Sequence, residues 1–227
     1  MKFLLIFFII TLLSGAENAD TAIWAQYARV GLSHDQDVNG IHGYYRINRK
    51  TTNTFRDLRL FGYELGDDSY IYLRYKSSMK YSHHGKLYNF TTASYQKNTR
   101  VELAMRYHFN QGFGYFIKEN KFGHVNGELG HAYDMSDYLN DTRKTSYLKS
   151  GVFWDHNLWI IKTKLEIEWF KQISEVVTTD LSRIQIFAEI SHQLTNSLSF
   201  IMGFEQDYYT SNNQQPLSYY FSLDWEK

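Results

Sequence analysis

The chain has 227 residues, no cysteine, a single proline and a formal net charge of zero. The lack of cysteine excludes disulfide bridges and thiolate metal sites, and the balanced charge gives no reason to expect a nucleic-acid partner, which requires a basic patch. One proline suits a chain made mostly of hydrogen-bonded β-strand, because proline removes a donor from a strand ladder.

The first sixteen residues, MKFLLIFFIITLLSGA, differ in kind from the remainder. They contain one lysine, an unbroken apolar run from Phe3 to Leu13, and small residues before a cleavage position after Ala16. The run is shorter than the roughly 20 residues that a transmembrane helix requires. We therefore predict a cleaved signal peptide at residues 1–16 and one exported domain at residues 17–227.

The exported region alternates apolar and polar residues with a period of two, which is the pattern of a β-strand. Turn-forming clusters rich in Gly, Asn and Asp separate the alternating segments, among them Asn110–Gly112. Single-chain outer-membrane barrels have an even number of strands, so we predict about twelve from thirteen candidates. The candidate strands are residues 24–33, 41–49, 54–65, 70–81, 87–95, 100–109, 113–118, 125–133, 147–154, 158–172, 182–194, 198–207 and 217–226.

Residues 158–172 show the alternation most clearly. Apolar Ile161, Leu165 and Ile167 alternate with charged side chains, and Trp159 and Trp169 stand near the two ends of the apolar face. A soluble β-sandwich with an apolar interior also alternates. The segment is longer than the 5–6 residues typical of a soluble strand, and the two tryptophans would lie about 25 Å apart along a membrane normal. Together with export, this favours an antiparallel up-and-down transmembrane β-barrel with two aromatic girdles.

The free-energy cost of placing a charged side chain in lipid predicts which face of each strand lines the lumen. A lysine or arginine that faces lipid at the midplane costs about 2–4 kcal/mol, so the charged face is expected to line the lumen. The candidate lumen-lining residues are Arg100, Glu102, Arg106, Lys162, Lys164, Glu166, Glu168, Arg183 and Glu189.

The charges also suggest a register for the hairpin of residues 158–172 and 182–194. If paired residue numbers sum to 351, Glu168 lies opposite Arg183 and Lys162 lies opposite Glu189. Opposite charges across two strands contribute roughly 0.2–1 kcal/mol per pair. The alternative is a solvated charged face without specific pairs.

The second half of the chain resembles the family known as domain of unknown function 481 (DUF481), the salt-induced outer-membrane proteins. The resemblance covers roughly residues 100–225. It is carried by FGHVNGELGHAYDMSD with Gly123, Gly127 and Gly130, by SYLKSGVFWDH, by the strand pair around the turn Thr195–Leu198, and by the closing strand at 217–225. It implies a Gram-negative outer-membrane barrel of unassigned biochemical role and supplies no functional residues.

Catalytic and metal-binding chemistry finds little support in the sequence. His83 and His84 are adjacent and fit a polar loop better than a chelating pair, and neighbours such as Ser191 and His192 point apart on a strand. We predict no enzyme activity, no cofactor and no metal.

Three functions remain open at this point. The first is an outer-membrane barrel with a structural or narrow-pore role. The others are an outer-membrane hydrolase acting on lipid, with its site on the outer face, and an exported soluble barrel that binds an apolar ligand.

The expected partners follow from the predicted location. They are outer-membrane lipid and the outer-membrane assembly machinery, which reads aromatic residues of the last strand. Tyr219, Phe221 and Trp225 fit that spacing, although Glu226 and Lys227 follow them.

Overall fold

The computed structural model describes residues 22–35, 38–81, 83–99, 103–138, 141–174, 180–210 and 217–226. The predicted signal peptide at 1–16 lies outside these ranges, as do Arg100 and Glu102. Within the described ranges, no helix is both long and apolar enough to cross a bilayer.

Twelve antiparallel strands form one closed barrel, which confirms the predicted fold class. Each strand pairs with the next along the chain, and β1 pairs with β12 to close the ring. The strands are β1 Ile23–Asp35, β2 Val38–Lys50, β3 Thr54–Leu65, β4 Asp68–Tyr81, β5 His84–Asn98, β6 Leu103–Asn120, β7 Gly123–Tyr138, β8 Asp141–Leu158, β9 Ile161–Gln172, β10 Arg183–Gln193, β11 Leu198–Tyr209 and β12 Leu217–Glu226.

The thirteenth candidate strand was wrong, because the described part of candidate 100–109, residues 103–109, belongs to the same long strand as residues 113–118, namely β6. Asn110, Gln111 and Gly112, which looked like a turn, are paired on both sides with β5 and β7. A side chain at Gly112 would collide with the backbone of Leu129 and Gly130 on β7. Gly112 therefore allows two strands to approach closely. The glycine reflects this close packing and does not mark a turn.

The tryptophan argument for β9 was also wrong in one respect. Trp159 is not part of that strand but lies with Ile160 in the turn that joins β8 to β9, where it is 95% exposed and has a φ of 63°. Trp169 does lie on the outer face of β9.

The outer face of the barrel is apolar and the inner face is polar, as predicted. On β9, Leu165 and Ile167 are exposed, whereas the intervening Glu166 side chain keeps only 15% of its accessible surface. Exposed apolar residues recur on the same outer face around the ring, for example Val30, Leu60, Leu129, Ile184, Phe200 and Phe221. In a closed barrel this places the apolar band outside and the charges inside.

The predicted register of the β9–β10 hairpin was wrong by two residues. Paired numbers sum to 353, so Phe170 lies opposite Arg183, Lys164 lies opposite Glu189, and Glu168 lies opposite Gln185. A shift of two leaves every side chain on its predicted face. Opposite charges did not predict the register of β9 with β10, because Arg183 and Glu189 form their ion pairs with residues on non-adjacent strands.

This register predicts a disulfide when cysteines replace directly opposed residues. In the naturally cysteine-free chain, Trp169→Cys with Ile184→Cys is expected to oxidise to an intramolecular bridge, since these two residues face each other. The matched control is Ile167→Cys with Ile184→Cys, the pair that the sum of 351 would oppose. Mass spectrometry of the folded, oxidised protein measures both, and more bridge in the control than in the first pair would contradict the register.

Candidate functional site: the barrel lumen

The structure brings most of the predicted lumen residues together on the inner wall. Arg106, Lys164, Glu166, Glu168, Arg183 and Glu189 all occupy inward-facing positions of β6, β9 and β10. Lys162 has the same parity but lies near the end of β9 and is exposed.

One ionic cluster is centred on Glu128 of β7, whose side chain is fully buried. Its two oxygens accept hydrogen bonds from Lys76 of β4 at 2.5 Å and from Lys149 of β8 at 3.1 Å. The Tyr88 hydroxyl donates to the same carboxylate at 3.0 Å, and Lys149 continues the chain of charges to Glu168. Both ammonium groups also lie about 5 Å from the rings of Phe90 and Phe153.

A second cluster is centred on Asp134 of β7. It pairs with His108 of the neighbouring strand and with Arg183 of β10 at 3.4 Å. The Arg183 guanidinium lies 4.4 Å above the ring of Phe170 and 5.1 Å from that of Tyr147. Stacking on aromatic rings suits a planar, weakly hydrated cation, which explains why an arginine occupies this buried position.

These two clusters fill one side of the lumen. The inward-facing residues of β5, β7 and β8 are mostly buried, including Tyr88, Phe90, Tyr147, Lys149 and Phe153. Their rings and ion pairs pack against each other and leave the other side of the lumen accessible. The inward-facing side chains of β2–β4 and β9–β11 are mostly of intermediate exposure, and Glu205 is exposed, so we call the less densely packed region that they line the accessible space.

Three arginines form the first wall of the accessible space. Arg46 of β2 lies directly opposite Arg59 of β3, which lies directly opposite Arg74 of β4. Buried Asp57 accepts hydrogen bonds from Arg46 and, at 2.5 Å, from Arg59. Arg74 makes no hydrogen bond or salt bridge within the described part of the chain, and its charge interacts with Glu166 and Glu168 at longer range.

Carboxylates form the second wall, with Glu166 and Glu168 on β9 and Glu205 and Asp207 on β11. Glu166 interacts electrostatically with Arg59 and Arg74 on the first wall as well as with Lys164 beside it. The side chain of Glu205 is exposed even though it points inward, and no described residue forms a hydrogen bond or salt bridge with it. The lumen thus carries a field from the arginine wall to the carboxylate wall, across the pore axis.

Aromatic side chains continue the arginine wall toward one end of the barrel. Tyr63 of β3 and Tyr70 of β4 stack with ring centroids 4.8 Å apart, and Phe61 packs edge-on against both. The accessible space is therefore lined by aromatic rings, cations and anions.

Sequence reasoning named residues on the second wall and missed the arginine wall and Glu128. The arginines carry a signal that was available: Arg46, Arg59 and Arg74 all lie on polar faces of consecutive predicted strands. Their alignment at one level depends on the registers of two hairpins, which alternation does not specify. Glu128 could not be recognised because its partners come from β4, β5 and β8.

Two other arrangements considered from the sequence can be located in the described residues. No group of three or more histidine, aspartate or glutamate side chains there is arranged to hold a metal ion. Ser191 faces the lumen and is buried, whereas His192 is exposed on the outer face, so these neighbours diverge as predicted.

Comparison with solved structures finds barrels of the same architecture. NanC porin matches with a TM-score of 0.57 at 7% identity, covering 88% of this chain and 98% of that chain. KdgM porin matches with a TM-score of 0.51 at 12% identity, covering 89% and 98%. The chain has the fold of an outer-membrane porin barrel. The translocator domain of autotransporter NalP from Neisseria meningitidis also matches, with a TM-score of 0.46 at 10% identity, covering 96% and 92%.

No family model and no curated protein matches the chain. At sequence identities this low, the similarity between this chain and the porins shows a shared fold and nothing more.

The buried Glu128 cluster predicts a large stability effect. Glu128→Gln leaves Lys76 and Lys149 with one charged partner fewer in a buried site, and we expect a loss of about 3–5 kcal/mol in the free energy of unfolding. Glu119→Gln is the matched control, because Glu119 pairs with Lys80 at the exposed end of β6 and should cost at most about 1 kcal/mol. Equilibrium unfolding of the folded barrel in lipid vesicles measures both, and equal losses would contradict the central role of Glu128.

Proposed function

We propose that this porin-like barrel is an integral outer-membrane protein whose lumen forms a narrow passage for small hydrophilic solutes. The observation that carries the proposal is the accessible space between the arginine wall and the carboxylate wall. Both walls line the inside of a closed ring whose outside is apolar.

The outer surface supports membrane insertion. Exposed apolar side chains on strand after strand make a continuous band, far larger than the isolated apolar patches of soluble proteins. Trp24 and Trp225 stand near the end of the barrel where β1 begins and β12 ends, and Trp154 lies on β8 toward the same end. This placement suits an interfacial girdle. A soluble barrel with an apolar ligand would need the opposite orientation of the faces.

The width supports a narrow rather than a wide passage. Twelve strands enclose less space than the 16–18 strands of porins with open aqueous channels. The clusters around Glu128 and Asp134 reduce that space further by filling one side. What remains suits small solutes that are polar enough to exchange water for charged and aromatic groups.

The walls support weak ion selectivity and sensitivity to dipolar solutes. Cations and anions face each other in similar numbers, so neither sign of ion is strongly favoured along the axis. The transverse field aligns a solute that carries a dipole, and Arg74 and Glu205 can each exchange hydrogen bonds with it. The resemblance to DUF481 stays a prediction and adds no substrate.

An outer-membrane hydrolase remains the alternative role. It requires a nucleophile, a base and an orienting group that converge on the outer face. Within the described residues we find no such set, and we therefore favour passage over catalysis.

Removal of one charge from each wall should shift ion selectivity in opposite directions. We expect Arg74→Gln to make the channel more cation-selective and Glu205→Gln to make it more anion-selective, because each removes an accessible lumen charge of one sign. Lys171→Gln is the control, since Lys171 is exposed at the end of β9 outside the lumen. Reversal potentials in planar bilayers under a KCl gradient measure the shift. Shifts in the same direction, or a complete lack of conductance in the wild type, would contradict a charged passage.

Membrane insertion predicts a strong contrast between adjacent residues of β10. Ile186→Arg places a cation on the outer face and should destabilise the barrel in lipid by about 2–4 kcal/mol. Gln185→Arg places the same cation in the lumen, opposite Glu168 and Asp207, and should cost little. Urea unfolding from vesicles measures both variants, and a larger loss for Gln185→Arg would contradict the assigned faces.

A further inference from the structure

The outer wall of β5–β7 carries a polar row within the apolar band. It consists of Thr91 on β5, Gln111 on β6 and His131 on β7, which lie directly opposite one another, together with nearby Asn89 on β5. These residues have the outward parity of the apolar side chains around them, and Gln111 and His131 are exposed. We call this set the outer polar row.

The outer polar row lies near the middle of the apolar band and not at its edge. Along β6, Gln111 stands between outward-facing Phe109 and Phe113, and Tyr107 and Tyr115 follow on either side. Along β7, His131 stands between exposed Leu129 and Tyr133. In a membrane these positions correspond to the hydrocarbon region and are separated from the headgroups by apolar and aromatic side chains.

The same place holds a surface cavity. It has a volume of about 350 Å³ and is lined by Asn89, Gln111 and His131 together with Tyr81, Phe109, Phe113 and the backbone of Gly112. Three polar side chains from three strands thus converge on one depression of the outer wall.

The polar side chains of this cavity have no hydrogen-bond partner in the part of the barrel that the structure describes. Among the described residues, none forms a side-chain hydrogen bond with Asn89, Gln111 or His131. In water the solvent would satisfy them, but hydrocarbon offers no donor or acceptor, and each unpaired amide or imidazole then costs several kcal/mol. If the barrel spans a membrane, as proposed above, this wall needs a polar partner at the same depth.

We propose that the outer polar row is a dimer interface and that its partner is a second copy of this chain. Two copies in one membrane are related by an axis along the membrane normal, and rotation about that axis preserves depth. The polar row of one copy therefore meets the polar row of the other at the middle of the band, where no other part of the bilayer supplies hydrogen bonds.

The chemistry of the row is self-complementary. The carboxamides of Asn89 and Gln111 each offer donors and acceptors, and a neutral imidazole offers one of each. The row contains no carboxylate, lysine or arginine that would repel its own copy. Small outward residues beside it, namely Ala93, Gly127 and Ser150, allow two walls to approach closely, as at other interfaces inside membranes.

Lipid fits the row less well than a second copy does. Acyl chains lack hydrogen-bonding groups, and headgroups lie at the depth of the flanking aromatic side chains. The interface also leaves the lumen untouched, so dimerisation and passage are independent properties of the barrel.

Disulfide crosslinking in native membranes tests the proposal directly. We expect Gln111→Cys to form an intermolecular disulfide dimer on oxidation, because the row lies on the symmetry axis. Phe221→Cys is the matched control, since Phe221 faces outward on β12 at the opposite wall. Crosslinking at residue 111 but not at 221 supports the interface. Equal crosslinking at both, no crosslinking at 111, or adducts of 111 with a different protein would overturn it.

A second measurement covers the case in which the cysteine disturbs folding. Gln111→Leu with His131→Leu removes the hydrogen bonds and adapts the wall to lipid, so the dimerisation constant in detergent or vesicles should fall about tenfold or more. Heat-modifiable gel migration reports separately whether each variant is a folded membrane barrel. A folded, inserted protein that is monomeric in the wild type would overturn the dimer while leaving the proposed passage intact. A protein absent from membranes would overturn the proposed function itself.

Discussion

The closed ladder of backbone hydrogen bonds is the constraint on which every other feature of this protein depends. Because β1 pairs with β12, no strand has a free edge, and every strand separates an inside from an outside. Side chains alternate between these two spaces, so the period of two along the chain becomes a difference between lumen and surroundings. Closure also explains the long strands, which can present unbroken apolar faces without exposing unpaired backbone groups.

Closure of the barrel allows charged residues to form ion pairs with residues on non-adjacent strands. In an open sheet a charged residue pairs with its neighbours on adjacent strands, but inside a ring it can reach across the curvature. Arg29 of β1 pairs with Glu189 of β10 at 2.6 Å, and Lys76 of β4 pairs with Glu128 of β7. Both pairs skip two intervening strands, as does the contact of Arg183 with Asp134. A pair buried in this way costs desolvation energy, and it joins strands that do not pair with each other through their backbones.

The uneven filling of the lumen gives the two sides of the barrel different roles. Buried charges stacked on phenylalanine and tyrosine rings make the β5–β8 side a packed interior, comparable to the core of a soluble protein. The opposite side keeps the arginine wall and the carboxylate wall apart and accessible. On the outside, the same β5–β7 sector carries the outer polar row, so the proposed dimer interface lies on the sector that contributes least to the proposed passage.

The sequence by itself determined the fold class, the approximate number of strands and the face on which most strand residues lie. These follow from the period of two and from the cost of a charge in hydrocarbon, which are local properties of the chain. The tertiary structure decided what depends on the pairing of separate segments: the continuity of β6 through Asn110–Gly112, the turn at Trp159, the register of β9 with β10, and the partners of Glu128 and Arg183. Alternation is unchanged by a shift of two residues, and an ion pair across a ring joins residues that no local pattern connects, so only the closed structure could specify them.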